Sequence, residues 1–307
     1  MSQRELVNSI SVVVRARNEA QNLRSLLQIL HDQALHETMK LQLIVVDNES
    51  EDDTRMVAER FSADLVELSI DEFTWGRALN RGLDAAQGEL VVLLSADAHP
   101  VSSNWLISLC EPFQDVRIGA VYGRQIPRRS APLDEWVRVC KTFPDSDRSW
   151  SLDDLQGDVV RGLVASNACA VVRRSVWESI KYDEESHGAE ELSWTAQVLR
   201  AGYEVRYVSH ISVEHSHREP SVKQAMRVWE LELEACRRAG RSVRARDAIR
   251  AIGAFSKRRI KNMTVSGAGV YRRIEGILCL PFEATVLAAI SIATVSGMDF
   301  RKIRKRW

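Results

Sequence analysis

Five cysteines in 307 residues, widely spaced and with no C-x-x-C, are too few and too scattered for a disulfide framework or a closed zinc site. The expectation is a chain of reduced thiols in a cytoplasmic setting. Only 7 prolines and 15 glycines, with no internal repeat, exclude collagenous and low-complexity classes. No G-x-G-x-x-G, Walker loop, G-x-S-x-G or H-E-x-x-H is present, which argues against dinucleotide oxidoreductases, P-loop NTPases, elbow-type hydrolases and zincins. No signal-like apolar stretch precedes the first strand-like run. The uncharged stretch from Ala284 to Met298 has 15 residues, short of the roughly 20 that a spanning helix needs.

Net charge is also lacking, with 42 Lys+Arg against 42 Asp+Glu, but this neutrality is a cancellation. Up to Pro220 there are 23 basic and 35 acidic residues; from Ser221 onward there are 19 basic and 7 acidic. An acidic body followed by a basic tail suggests separate partners for each part. The tail reads as basic and mostly helical. Its uncharged stretch flanked by cations fits peripheral contact with an anionic membrane, and a helix buried on the body is the alternative. Nucleic-acid binding by the tail is a competing reading, weakened by scant aromatic interleaving between Arg237 and Arg273.

With 45% hydrophobic residues the chain should fold around a sizeable core. Strand-like runs at Ile10–Val14, Leu41–Val46, Ala63–Leu68 and Glu89–Leu94 alternate with helical spacing over Glu19–Leu30, up to Arg60, and over Gly76–Ala86. This pattern predicts βαβ units, a mainly parallel sheet covered on both faces, and ligand binding beyond the carboxyl ends of the strands. Residues 101–160 read as less regular. A strand running into a helix at Arg174–Ser179, a helix over Leu192–Leu199 and a strand over Tyr203–Val213 complete the pattern.

Polar residues cluster at these strand ends. Asn18, Asp47 and Ser50 suit either a nucleotide or the capping of the next helix. Asp97 and His99 form a D-x-H that could hold a divalent ion, or else a cap and a surface imidazole. His215 and His217 end the last strand and need an opposing strand end to make a metal site. Glu184, Glu185, Glu190 and Glu191 lead into a helix, where carboxylates favour the dipole; one of them could instead be a general base.

The order of these pieces resembles the inverting family 2 glycosyltransferases of GT-A fold. The resemblance is carried by SVVVRARNEAQNL (11–23), LIVVDNESEDDT (43–54), WGRALNRGLDAAQGELVVLLSADAHP (75–100), SNACAVVRRSVW (166–177), AEELSW (189–194) and VEHSH (213–217). LSADAHP and VYGRQIPRRSAP (121–132) look most like bacterial rhamnosyltransferases of surface polysaccharide synthesis. The resemblance implies a catalytic domain over 1–220, with a nucleotide-binding half (1–100) and an acceptor-binding half (101–220), and a separate region over 221–307. It places Arg17, Glu19, Asp47 and Asn80 around the nucleotide. Asp97 is the last acid of the family's D-x-D, and His215 completes a Mg²⁺ or Mn²⁺ site on the diphosphate. Glu191 falls at the catalytic base, with Glu190 beside it.

Two positions depart from the pattern. Ser95 replaces the first acid of D-x-D, with His99 as a compensating ligand, and the base is Glu rather than Asp. The implied activity is inverting transfer of a sugar, L-rhamnose from dTDP-rhamnose, to a glycan or lipid-linked hydroxyl. Segment 128–160 is the expected acceptor lid, or an ordinary surface insertion. A catalytically impaired relative and a nucleotidyltransferase are the alternatives.

Overall fold

The computed structural model describes residues 8–35, 38–131, 133–186 and 188–216. The chain divides into two compact units: Met1–Ile126 with Thr142–His215, and Pro127–Lys141 with Ser216–Trp307. The expectations for 221–307, including the basic helices and the membrane-facing stretch, lie outside the described residues, as does His217. Among the described residues no helix is long and apolar enough to cross a membrane.

The elements run β1 (Ser9–Ala16), α1 (Ala20–His31), β2 (Lys40–Asp47), α2 (Thr54–Arg60), β3 (Asp64–Glu67), α3 (Trp75–Ala85), β4 (Leu90–Ser95) and β5 (His99–Pro100). There follow α4 (Trp105–Cys110), β6 (Ile118–Ile126), α5 (Leu133–Thr142), β7 (Arg148–Trp150), β8 (Leu155–Gln156) and β9 (Val159–Val160). The last are β10 (Cys169–Arg173), α6 (Arg174–Ser179), α7 (Glu190–Arg200) and β11 (Glu204–Glu214). Within the described residues, each strand and helix expected from periodicity is present, with most ends shifted by a residue or two.

The sheet order is β3-β2-β1-β4-β10-β6-β11-β5, with β7 on β11. The first four strands are parallel, as the βαβ pattern requires. β10 is antiparallel to both β4 and β6, while β6 runs parallel to β11. β1 is buried on both faces: Val12, Val13 and Val14 are all solvent-inaccessible. One face packs on the apolar stripe of α1, Leu23, Leu26, Leu27 and Leu30. The other meets α3, where a Cβ on Gly82 would lie 2.3 Å from the Val13 side chain.

β6 is the main element that the sequence reading missed. It lies inside the segment read as irregular, yet it is a nine-residue strand between β10 and β11. Its glycines explain both facts. Gly119 and Gly123 weaken the strand signal, and Gly123 is needed because a Cβ there would come within 2.3 Å of Cys169 Sγ. The proposed lid segment is likewise more regular than expected: it holds α5, the edge strand β7 and the β8–β9 hairpin. Burial pushes the Cys110 and Cys169 thiols up to about 12, so both act as packing groups rather than nucleophiles.

The start of α3 approaches the chain before α7 closely, since a Cβ on Gly76 would sit 2.0 Å from the Asp183 carbonyl oxygen. Gly76→Ala is expected to destabilise the fold by about 1–3 kcal/mol through overpacking, read as a lower denaturation midpoint with an unchanged m-value.

Candidate active site

Polar side chains converge at the carboxyl ends of β1, β2 and β4 and at the first turn of α7. The loops after β1 and β2 staple each other. Asn18 N–H donates to Ser50 Oγ (2.9 Å), and Glu51 N–H donates to Asn18 Oδ1 (2.8 Å). Glu19 and Ala20 N–H donate to Thr54 Oγ1 and Asp52 Oδ2 (2.9 and 3.1 Å). Asn18 and Ser50 therefore tie the two loops to each other and do not cap the helices that follow, neither of which has a side-chain cap from its own N-cap residue. Asn18 and Glu49 sit at positive φ (54° and 50°), where L-residues are uncommon.

Asp47 is different. It is fully buried, and its Oδ2 accepts from Arg55 Nε (2.7 Å) and Ser50 N–H (3.1 Å). Its Oδ1 is buried with no hydrogen-bond partner among the described residues. A buried acceptor left open costs about 1–3 kcal/mol unless a ligand's N–H or O–H reaches it. Glu19 accepts from Asn22 Nδ2 (2.6 Å), and Arg17 is exposed on the same loop.

Beyond β4, Asp97 Oδ1 lies 3.3 Å from His215 Nε2, which arrives from the end of β11. His215 is buried, and its Nδ1 faces Gln125 Oε1 at 2.8 Å. With Nδ1–H donating to Gln125, Nε2 presents a lone pair toward a carboxylate, an arrangement that a cation between them would satisfy. One carboxylate oxygen and one imidazole nitrogen are a partial donor set that a divalent ion could use together with ligands from outside the protein. His99 does not join them. Its Nε2 is 3.2 Å from the Asn22 carbonyl oxygen, which requires N–H at that nitrogen, and its backbone pairs with β11. Among the described residues no three His, Cys, Asp or Glu side chains form a metal cluster.

At α7 the helix is entered through Ala189 in the left-handed region (φ 55°). Glu190 is buried at 4% exposure, and its Oε1 accepts from Asn167 Nδ2 (3.1 Å) and lies 3.6 Å from Arg15 Nη1. Asn167 Oδ1 in turn accepts from the Tyr182 hydroxyl (3.2 Å). Burial, chiefly, holds the Tyr182 phenol well above its ordinary range, so it acts as a donor and not as a base. Glu191, next along, is only half-buried.

Asn80 was expected near the nucleotide, yet the fold engages its whole amide. Nδ2 donates to Tyr182 O (2.9 Å) and Glu184 Oε1 (3.0 Å); Oδ1 accepts from Trp177 Nε1 (3.0 Å) and Tyr182 N–H (3.1 Å). Its four bonds tie α3 to the segment leading into α7. The residues that the sequence reading did not single out are Arg15, Gln125 and Asn167. For Arg15 a signal existed: a cation closing a run of valines.

A model described as glycosyl transferase family 2 matches residues 11–180, more than half of the chain. The chain belongs to glycosyl transferase family 2. It is 33% identical over 179 residues to the O-antigen chain rhamnosyltransferase WbaN of Salmonella anatum, covering 57% of this chain and 56% of that one. It is 32% identical over 186 residues to RfbN of Salmonella typhimurium, described in the same words, covering 57% of each. The chain thus spans about half the length of the curated relatives it matches.

Among solved structures, a mannosyltransferase of Pyrobaculum calidifontis in complex with GDP-Man and Mn²⁺ aligns over 97% of this chain and 78% of its own, with TM-score 0.54 and 16% identity. Glucosyl-3-phosphoglycerate synthase of Mycobacterium tuberculosis, in complex with Mg²⁺ and UDP, covers 76% and 80%, with TM-score 0.54 and 19% identity. At such identities the likeness is one of fold. The family 2 chain folds as GT-A.

Asn80→Ala is expected to lower the unfolding free energy by about 3 kcal/mol or more, because buried Trp177 and Tyr182 donors lose their acceptor; chemical denaturation without nucleotide measures it. Hydrogen bonding from Asn80, then from Arg77, outweighs burial and holds the Glu184 carboxylate below its usual range. A carboxylate depressed in the folded state contributes stability above its unfolded value of 4.5, lost as pH falls through the lower folded value. Glu184→Gln should flatten that acid limb in melting temperatures measured from pH 6 downward.

Proposed function

We propose that this family 2 chain is an inverting glycosyltransferase that moves a sugar from a nucleotide-diphosphate donor to a hydroxyl of a glycan or lipid-linked acceptor. L-Rhamnose from dTDP-rhamnose is the proposed donor, supported by the two Salmonella relatives named for rhamnosyl transfer. The observation that carries the reading is the convergence, at one end of the sheet, of an open buried carboxylate (Asp47), an Asp97–His215 pair and a carboxylate pair at the start of α7.

Asp47 Oδ1 accepts an N–H of the base, and Arg55 fixes the carboxylate while it does so. Arg17 and Glu19 border the nucleotide. A divalent ion on Asp97 and His215, with Gln125 holding the imidazole, would neutralise charge on the departing diphosphate. Glu191 takes the proton of the acceptor hydroxyl as that oxygen attacks the anomeric carbon, and the bond from that carbon to the diphosphate oxygen breaks on the opposite face. Configuration inverts in the single displacement. The half-buried Glu191 suits a base that must meet an incoming acceptor; the buried Glu190 accepts from Asn167 and stands 3.6 Å from Arg15. Contact of residues 221–307 with an anionic membrane on the cytoplasmic side accompanies this reading, as it suits a lipid-linked acceptor.

Glu191→Gln is expected to reduce transfer by about 10²–10⁴-fold while nucleotide-sugar affinity persists. Transfer at a near-normal rate would shift the base to Glu190, tested by Glu190→Gln. Asp97→Ala should abolish the Mn²⁺-dependent increment in nucleotide binding, and an unchanged Mn²⁺ titration would remove it from the metal site. A thermal-shift screen of dTDP-, UDP- and GDP-sugars with and without Mn²⁺ tests the whole reading, which fails if none raises the melting temperature.

A further inference from the structure

Arg15 is a cation inside the sheet. Its side chain is 12% exposed, yet its guanidinium makes no hydrogen bond to any described residue, with Nε and Nη1 both buried and open. Two contacts hold it in place: the Trp75 ring, 5.0 Å from the guanidinium carbon, and Glu190 Oε1 at 3.6 Å, beyond hydrogen-bond reach. A guanidinium buried to this degree is costly unless acceptors meet its donors. Trp75 covers one plane, and Glu190 Oε1 is already taken by Asn167. A ligand bringing anionic oxygens would complete it.

The register says which ligand. Arg15 pairs with Ser95 across the parallel β1–β4 ladder, so the two side chains leave the same face about 4.8 Å apart. Ser95 stands where the family's D-x-D has its first acid. A carboxylate there would face Arg15 directly and occupy its donors; the serine cannot neutralise it. Arg15 lies one residue before the end of β1, on the rung below Asp47 and two residues from Asp97 through Ser95.

We propose that Arg15 is a binding residue for the diphosphate of the nucleotide donor, supplying from the sheet charge-assisted N–H bonds that do not depend on metal. It rests on the glycosyltransferase reading above and deepens it, because the binding it describes persists when the divalent ion is removed. Trp75 backs the guanidinium and Glu190 limits its travel, so the fork is preorganised before the donor arrives.

The test is calorimetric titration of the full chain with UDP, dTDP and GDP, and with the corresponding nucleosides, in EDTA and then with Mn²⁺. In EDTA the wild-type chain should bind its preferred nucleoside diphosphate about tenfold or more tightly than the nucleoside. Arg15→Gln should remove that increment, a loss of about ten- to hundredfold, with nucleoside affinity within about twofold. Ser95→Asp should erase much of the same increment in EDTA by pairing with Arg15, and should have little further effect in the Arg15→Gln background.

An increment in EDTA that survives Arg15→Gln in a variant shown by circular dichroism to be folded overturns the proposal. So does parallel weakening of nucleoside and diphosphate, which would mark a structural role. Should Arg15→Gln fail to fold, Ser95→Asp decides, since an undiminished increment in that variant overturns the proposal as well. A wild-type chain that binds nucleoside diphosphate only with Mn²⁺ overturns this inference but leaves the glycosyltransferase reading standing. One that binds none under either condition overturns both.

Discussion

Ser11 lies fully buried at the start of the central strand, and its hydroxyl meets three groups at once. It donates to Gln42 Oε1 on β2 (2.6 Å) and accepts from the backbone N–H of Gln87 and Gly88 (3.1 and 2.8 Å) ahead of β4. Every other residue from Ile10 to Val14 is apolar and fully packed, so hydrophobic burial alone would tolerate a slip of β1 by one residue. A slip of one residue reverses faces. It would carry Arg15 to the α1 side and break its rung with Ser95. The hydroxyl that fixes the register at one end of the strand therefore decides which side chains meet at the other, and Gly88 permits it, because a Cβ there would lie 2.4 Å from Ser11 N.

A second constraint joins the two halves of the site. Asp47 is positioned by β2 and α2, Glu190 and Glu191 by α7, and these elements belong to distant parts of the sequence. Asn80 bridges them: it sits on α3, packed over β1 and β2, and holds the backbone of Tyr182. Tyr182 then holds Asn167, which holds Glu190, and Tyr182 stacks on Trp194 of α7 with ring centroids 5.0 Å apart. Asn80, Tyr182, Asn167 and Glu190 thus form one buried hydrogen-bonded chain from α3 to the start of α7. Such chains are stiff because each member leaves a neighbour unsatisfied if it moves.

The sequence made the outer logic of this fold readable, since valine-rich strands and the leucine stripe of α1 follow from period alone. β6 was hidden because the glycines that let it pass Cys169 and Ile211 also weaken the strand pattern. In the candidate site, Asp47, Asp97 and His215 were legible because each stands at or just beyond its own strand end, and the fold brings Asp97 and His215 to 3.3 Å of each other. The structural bonds of Asn80 were not legible, because an amide on a helix facing a sheet edge reads the same whether its partner is a base or a backbone, and the fold of 177–184 supplies the partners it has here. His99 was misplaced because D-x-H spacing puts two side chains on one side of an extended chain, whereas Ala98 N–H bonds back to Ser95 O and turns the chain between them. Arg15 carried a signal in its hydrophobic surroundings, but its meaning depends on a cross-strand neighbour that periodicity does not name.

Ser95 then ceases to be a simple defect. On the proposed reading, a divalent ion held by two carboxylates presents no net charge to the donor, whereas one held by Asp97 and a neutral imidazole presents a net positive charge. Retention of the ion weakens, because one anionic ligand is gone, but attraction for the departing diphosphate rises. Arg15 shifts the balance the same way, since its partner Glu190 stands at 3.6 Å and shares its carboxylate with Asn167. A second acid beside Arg15 would strengthen the hold on the metal and extinguish both gains. On that reading, the protein's own cation and a loosely held ion would divide the task that two acids and a tightly held ion otherwise perform.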